Sequence, residues 1–185
     1  MDGTAGRCPP LAGCPTPINL GAALDAPLGI SLEGTLVFWT AEADGNQNGA
    51  VFKSPKGGGG SLQVSASLDL PTAVAADSTY AYWTQSTPTG GTVSRCAYGP
   101  GYCMTTEDLA LGLSAPLDLA LGGGRIYWTD SGDGQVLSCP SSGCGTTAPT
   151  QHASGRTGLR HLALGATCVF WTDDQGGGSV SKVAR

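Results

Sequence analysis

The chain has 185 residues, of which 30 are glycine, 12 are proline and only 12% are charged. This much glycine and proline excludes long helices, while a hydrophobic share of 40% excludes an intrinsically disordered chain. The formal net charge of −5, with only nine basic residues, excludes a protein that binds along the phosphates of a nucleic acid. No apolar run is long enough to span a membrane.

The chain begins with a strand that is typical of the third position in a repeat unit. Residues 3–8 read Gly-Thr-Ala-Gly-Arg-Cys, which is similar to Gly-Thr-Val-Ser-Arg-Cys at 91–96. Residues 17–24 follow as a predicted fourth strand, which is available to pair with the last unit of the chain. The segment at 178–182 is again a predicted third strand, so both ends predict the same kind of strand.

Four repeat units are marked by an aromatic residue, Trp and Thr in succession. Their tryptophans lie 44, 45 and 43 residues apart, at Trp39, Trp83, Trp128 and Trp171. Twelve residues before the tryptophan, three units have a proline and the fourth has a leucine: Pro27, Pro71, Pro116 and Leu159. A period of this length predicts one supersecondary unit per copy, and we expect residues 1–185 to form one repeat domain or a fragment of one.

The first unit contains a loop with the oxygen-rich spacing of a calcium site. Asp44, Asn46 and Asn48 alternate along the predicted hairpin tip, so their side chains can converge on one cation. Pro55 stands where an EF-hand loop has its glutamate. An ordinary hairpin tip, which favours Asn and Gly, is the alternative. We therefore expect no cofactor, with calcium at this loop as the one candidate.

The third unit shows the predicted plan of every copy most clearly. A first strand follows Pro116, a glycine-rich turn leads to a second strand at 125–129, and a tip leads to a third strand at 135–139. The stretch at 108–113 is the predicted fourth strand of the preceding unit. Four strands in about 44 residues are typical of a β-propeller blade. We therefore predict an all-β fold, a β-propeller of four blades with four strands each.

Six of the seven cysteines form three close pairs in the sequence: Cys8 with Cys14, Cys96 with Cys103, and Cys139 with Cys144. None of these pairs has the Cys-x-x-Cys spacing of a zinc site, and only two histidines are available, so disulfides are favoured over zinc. The last two pairs follow predicted third strands and would staple the next turn. Disulfides indicate an extracytoplasmic or secreted protein, although no signal peptide is visible in this chain.

The repeat resembles the YWTD repeat of the low-density lipoprotein receptor family and its bacterial secreted propeller relatives. Tyr127-Trp128-Thr129-Asp130 is the full string, and Phe170-Trp171-Thr172-Asp173 is close to it. The resemblance implies that the four tryptophans form the blade core and that Asp130 and Asp173 tie neighbouring blades. Ala41 and Gln85 replace this aspartate in the first two units. The family has a six-bladed ring that mostly binds proteins.

Two architectures are compatible with four such units. One is a closed four-bladed ring, and the other is an incomplete part of a larger propeller of the six-bladed type. The duplicated third strand at the two ends favours the incomplete propeller. Such an open array leaves strand edges and apolar blade faces uncovered, which predicts self-association.

The predicted first strands bear on the function, because propeller enzymes assemble acids and imidazoles around the axis. Their central residues are mostly apolar and offer no acid or imidazole: Ile30-Ser31-Leu32, Ala73-Val74-Ala75, Leu119-Ala120-Leu121 and Leu162-Ala163-Leu164. No catalytic residue is predicted. We expect a non-enzymatic binding or scaffold protein with a protein or surface partner. The alternative is part of a calcium-dependent, lactonase-like propeller hydrolase or lyase. Asp130, Asp133, Asp173 and Asp174 predict an acidic rim at the loop tips.

Overall fold

The computed structural model describes residues 3–7, 18–42, 49–87 and 89–185, with only the backbone described in 3–7 and at positions 22 and 23. Every regular element in these ranges is a β-strand. They contain no helix of the length and apolarity that a membrane crossing requires. The all-β prediction is confirmed.

Three sheets have four antiparallel strands each. The first sheet contains β3 (Pro27–Glu33), β4 (Leu36–Ala41), β5 (Gly49–Pro55) and β6 (Leu62–Leu68). The second sheet contains β7 (Pro71–Ala76), β8 (Tyr80–Thr87), β9 (Gly90–Ala97) and β10 (Glu107–Leu113). The third sheet contains β11 (Pro116–Gly122), β12 (Arg125–Asp130), β13 (Gln135–Pro140) and β14 (Thr150–Ala153).

Two smaller sheets flank these three. The N-terminal pair consists of β1 (Gly3–Arg7) and β2 (Ile18–Leu24), and the C-terminal sheet consists of β15 (Leu162–Leu164), β16 (Cys168–Asp173) and β17 (Ser179–Ala184). The predicted strand at 17–24 was available to pair with the last unit, but β2 pairs with β1 instead. Leu20 and Leu24 of β2 pack instead on Trp39 of the first sheet.

Each sheet has two sides with different residues, because side chains alternate along a strand. The tryptophan side carries the repeat tryptophan and packs on the preceding sheet. The aromatic side carries the residue before that tryptophan and packs on the following sheet. Phe38 thus clusters with Trp83, and Tyr127 clusters with Trp171. The stack of sheets follows directly from the aromatic-Trp pair in each unit.

Close approach between sheets explains one glycine of the repeat. Gly49 begins the third strand of the first sheet, and a Cβ there would lie 2.5 Å from Cδ of Pro71. Gly91 meets Pro116 in the same way at the next junction. The prolines that open the second and third sheets therefore pack on a backbone without a side chain, which keeps neighbouring sheets in contact.

Candidate functional site

The innermost strands of four sheets surround one cavity. β3, β7, β11 and β15 all contribute to its wall, and its volume is about 420 Å³. A second volume of about 440 Å³ continues it at the N-terminal ends of these strands, and we call this part the axial mouth. Its lining residues are Leu28, Gly29, Ile30, Thr72, Ala73, Leu117, Asp118, Arg160 and His161.

Asp118 is the carboxylate of the axial mouth. Its Oδ1 accepts a hydrogen bond from the Leu119 amide at 2.9 Å, and its Oδ2 accepts one from the Leu162 amide at 2.8 Å. The second bond crosses from β11 to β15, so Asp118 joins the innermost strands of two neighbouring sheets. Both of its oxygens are therefore engaged by backbone groups.

His161 and Arg160 form the rest of the polar side of the mouth. The Nδ1 atom of His161 lies 3.6 Å from Oδ2 of Asp118, and the imidazole is 83% exposed. Arg160 lies 3.7 Å from Asp174 at the surface. A carboxylate next to an imidazole can transfer protons, but this separation exceeds the length of a hydrogen bond.

The prediction that the first strands offer no acid is wrong, because β11 contains Asp118, and the imidazole of His161 lies next to β15 without belonging to it. β11 begins at Pro116, before the segment that was expected to line the axis, and its pairing with β12 shifts register between Pro116 and Leu119. Asp118 lies inside this irregular part of the strand. His161 immediately precedes β15 and is bonded through its backbone to Thr172. Asp118 and His161 thus occupy the same position of the repeat, which lies just before the segments that were expected to line the axis.

Each of the two repeat aspartates binds the chain segment that leads into the first strand of its own sheet. The carboxylate of Asp130 accepts hydrogen bonds from the amides of Ser114 and Ala115, at 2.9 and 2.8 Å. Asp173 pairs with Arg156 at 2.7 Å and also accepts from the Trp171 indole at 3.0 Å. Both aspartates are buried, so neither belongs to an exposed acidic rim. Of the four acidic tip residues, only Asp133 and Asp174 are exposed.

The environment of Asp173 strongly favours its charged form. Burial alone would raise the pKa of this carboxyl group. Hydrogen bonds from Ser179, Arg156, the Gln175 amide and Trp171 more than offset that effect and lower the pKa to about 2. Asp173 is therefore an ionised structural anchor at the junction of the third and C-terminal sheets.

The first two units lack the aspartate, and their entering segments differ. The residue before the opening proline has a positive φ in both units, 36° at Ala26 and 38° at Leu70. Ala115, which Asp130 holds, does not share this conformation. The side-chain Oε1 of Gln85 is buried without a hydrogen-bond partner. Replacement of the aspartate thus leaves a strained backbone at these two junctions.

Two of the three predicted disulfides are formed. Cys96 is bonded to Cys103 and Cys139 to Cys144, while Cys168 is a free cysteine. Cys8 and Cys14 lie outside the described residues. Disulfides are typical of proteins outside the reducing cytoplasm.

The disulfide loops also fasten neighbouring sheets at their outer edges. The amide of Cys103 donates to the Val64 carbonyl at 2.9 Å, and the amide of Cys144 donates to the Leu109 carbonyl at 3.1 Å. In both cases the acceptor is on the outermost strand of the preceding sheet. Each loop thus covers a strand edge that would otherwise be open.

The calcium prediction concerns residues outside the described part of the chain. Asp44, Asn46 and Asn48 all lie in the undescribed segment 43–48, so the calcium loop stays a prediction. Among the described residues, no three His, Cys, Asp or Glu side chains are grouped as metal ligands.

Equivalent residues differ sharply in exposure between the sheets. A valine of the third strand faces the following sheet and is fully buried in three units, at Val51, Val93 and Val136. The same position in the C-terminal sheet is Val180, which is 78% exposed. At the opposite end, β3 exposes Leu28, Ile30 and Leu32. Among the described residues, the stack therefore ends in an uncovered apolar face on the C-terminal sheet and a partly covered one on the first sheet.

Comparison with solved structures identifies the fold. A chain of the nidogen/laminin complex matches with a TM-score of 0.79 and 18% identity over 98% of this chain and 67% of its own length. A gluconolactonase from Xanthomonas campestris matches with a TM-score of 0.70 and 15% identity over 88% of this chain and 58% of its own. The computationally designed Ika4 protein matches with a TM-score of 0.64 and 14% identity over 86% of this chain and 91% of its own.

These structures show that the chain has a β-propeller fold. The identities are low, so the likeness extends to the fold alone. The chain spans somewhat more than half the length of the gluconolactonase. No family model and no curated protein matches the sequence.

Proposed function

We propose that this chain is a non-enzymatic binding or scaffold protein of the extracytoplasmic space. It forms an open arc of a larger propeller and binds a protein partner on its uncovered sheet faces. The contrast between buried Val136 and exposed Val180 at equivalent positions is the observation that supports this proposal most directly. Surface of this kind, apolar and built to pack on a sheet, is typical of protein interaction sites.

The open arc is supported by the strand pairing and by the length of the match. Among the described strands, β17 pairs only with β16, and the N-terminal pair forms a separate sheet. The chain covers 67% of the matched nidogen/laminin chain, which is the share that four blades of a six-bladed ring would have. The two disulfides support the extracytoplasmic location.

A hydrolase or lyase is the second candidate function. Asp118 and His161 lie together at the axial mouth, and the gluconolactonase shares the fold. Both oxygens of Asp118 already accept backbone hydrogen bonds, however, and this favours a structural role for the carboxylate. The binding function therefore agrees better with the geometry.

Site-specific photo-crosslinking in the producing cell tests the binding function. The photoreactive residue p-benzoylphenylalanine is placed at Ile30 or Val180 on the two end faces, and at Leu111 on β10, a strand in the middle of the stack. We expect discrete protein adducts from the two end faces and none from Leu111. Equal labelling at all three positions, or no adduct at any, contradicts the proposal.

A parallel assay tests the enzymatic alternative. A panel of lactones and esters is incubated with the protein in the presence of calcium. We expect no turnover by the wild type. Turnover that is lost in Asp118→Asn and kept in Asp133→Asn, an exposed tip residue, would overturn the non-enzymatic proposal.

A further inference from the structure

The three internal junctions between sheets share one set of contacts. The aromatic residue of one sheet packs with the tryptophan of the next sheet. The threonine of the sheet that supplies the aromatic residue forms hydrogen bonds across the junction. Thr40 donates to the Thr72 carbonyl at 3.3 Å, and Thr129 donates to the Arg160 carbonyl at 3.2 Å. Thr84 donates to the Leu117 carbonyl at 3.5 Å, and the neighbouring Thr72 hydroxyl donates to the Pro116 carbonyl. The threonine thus connects innermost strands at every junction.

A basic residue adds a further contact at two of these junctions. Lys53 pairs in register with Phe38, and its Nζ donates to the Gly99 carbonyl in the disulfide loop of the next sheet. Arg95 pairs with Tyr82 and donates to the Ser141 carbonyl at 2.7 Å. The aromatic side of a sheet therefore presents a ring, a hydroxyl, a valine and, in these units, a cation to its neighbour.

The C-terminal sheet presents all four of these groups on its uncovered side. Phe170 is half-buried, Val180 is 78% exposed, and Lys182 pairs in register with Phe170. Thr172 accepts a hydrogen bond from the His161 amide at 3.3 Å. Within the described residues it has no acceptor for its own hydroxyl proton. This side is thus equipped for the same junction that occurs three times inside the chain.

The innermost strand of the first sheet offers the accessible part of the matching surface at the other end of the stack. Ile30 pairs in register with Trp39, as Val74 pairs with Trp83 and Leu119 with Trp128. Val74 and Leu119 are buried at their junctions, whereas Ile30 is 63% exposed. The N-terminal pair covers Trp39 through Leu20 and Leu24 and leaves this innermost strand open.

We propose that a second copy of this chain covers the aromatic side of the C-terminal sheet with β3 of its first sheet. Phe170 of one copy packs on Ile30 of the other. The Thr172 hydroxyl donates to the Leu28 carbonyl of that copy, since Leu28 occupies the repeat position of Thr72, Leu117 and Arg160. The inference rests on the proposed binding function and names its partner.

The geometry of this contact determines what kind of assembly forms. The two surfaces are different, so the contact is head-to-tail, and a pair of copies in contact keeps one free surface of each kind. Two copies close into a ring if their rotation allows it, and otherwise an open chain of copies grows. In both cases association depends on protein concentration and on both end faces.

Sedimentation velocity over a range of protein concentrations is the first test. We expect the wild type to form dimers or larger species at high concentration. Phe170→Asp and Ile30→Asp each place a charge in the contact and weaken association by about 100-fold or more. Leu111→Asp changes an equally exposed leucine in mid-stack and leaves association unchanged. Thr172→Val preserves the shape and weakens association by about 10-fold.

Mixing the two aspartate variants tests the head-to-tail arrangement. Phe170→Asp keeps an intact β3, and Ile30→Asp keeps an intact C-terminal sheet, so the mixture forms a one-to-one complex although each variant alone is monomeric. This complex also shows that both variants are folded. A mixture that stays monomeric overturns the head-to-tail contact.

The second-copy inference and the binding function fail in different ways. A wild type that stays monomeric at all concentrations overturns the second copy as partner. Photo-adducts of a different protein at Val180 and Ile30 in the same cells would still support the binding function. Absence of any adduct at these positions contradicts both.

Discussion

Replacement of Thr129 by valine removes a hydroxyl that connects two sheets without changing the shape of the side chain. Thr129 is fully buried, accepts a hydrogen bond from the Asp118 amide at 3.2 Å and donates one to the Arg160 carbonyl at 3.2 Å. The substitution leaves a partly buried amide and a carbonyl without this partner. We expect a loss of about 2 to 3 kcal/mol in the free energy of unfolding, since one unsatisfied buried group costs about 1–3 kcal/mol.

Thr172→Val is the matched control within the same chain. Thr172 accepts from the His161 amide at 3.3 Å but, among the described residues, makes no contact with a following sheet. We therefore expect a loss of less than about 1 kcal/mol. Both variants are made in the Ile30→Asp background, so that self-association does not contribute to the measured stability.

Urea unfolding followed by tryptophan fluorescence measures this difference. With a typical dependence of about 1–3 kcal/mol per molar urea, the midpoint of Thr129→Val should fall by roughly 1 M below that of the control. Equal losses in the two variants would refute the reasoning. They would mean that the threonine stabilises only its own sheet, through the hydrogen bond that its hydroxyl accepts from an amide of that sheet.

Three further predictions concern other parts of the repeat. Asp173→Asn should lower the free energy of unfolding by on the order of 2 kcal/mol above about pH 4. The difference from the wild type should vanish as the pH falls toward 2, because the folded-state pKa of about 2 lies below the unfolded value. Urea titrations across this pH range measure the difference. Leu70→Gly should stabilise the protein by about 1 kcal/mol by relieving its positive φ, whereas Ala115→Gly should destabilise it, and their melting temperatures give the comparison. Joint replacement of Cys139 and Cys144 by serine should cost about 2 kcal/mol by the same urea assay, and an unchanged midpoint would exclude a stabilising staple.

The repeat made most of the fold predictable. The strand after Pro116, the strand at 125–129 and the strand at 135–139 agree with β11, β12 and β13 to within a few residues. The two cysteine pairs in the described region are the pairs expected from their spacing. These features depend on local sequence that recurs in each unit, and a recurring pattern can be checked against its other copies.

The polar group at the axial mouth was not predictable in this way. The residues that occupy the position of Asp118 in the other units are Gly29, Ala73 and His161, so no shared pattern points to a carboxylate. The register shift in β11 adds to the difficulty, because regular alternation assigns the wrong residues to the axis. A functional residue that occurs in only one unit cannot be predicted from the pattern that the units share.

The exposure of the end faces depends on a neighbour that local sequence does not specify. Val136 and Val180 follow the same kind of tip, sit opposite the threonine of the same string and occupy equivalent strand positions. One is buried completely and the other is 78% exposed, and the following sheet accounts for the whole difference. Sequence pattern therefore predicts that a residue is suited to a junction, and only the arrangement of sheets shows whether the junction is filled. The ring, hydroxyl, valine and cation on the uncovered C-terminal sheet are what supports the proposal that a partner fills this junction.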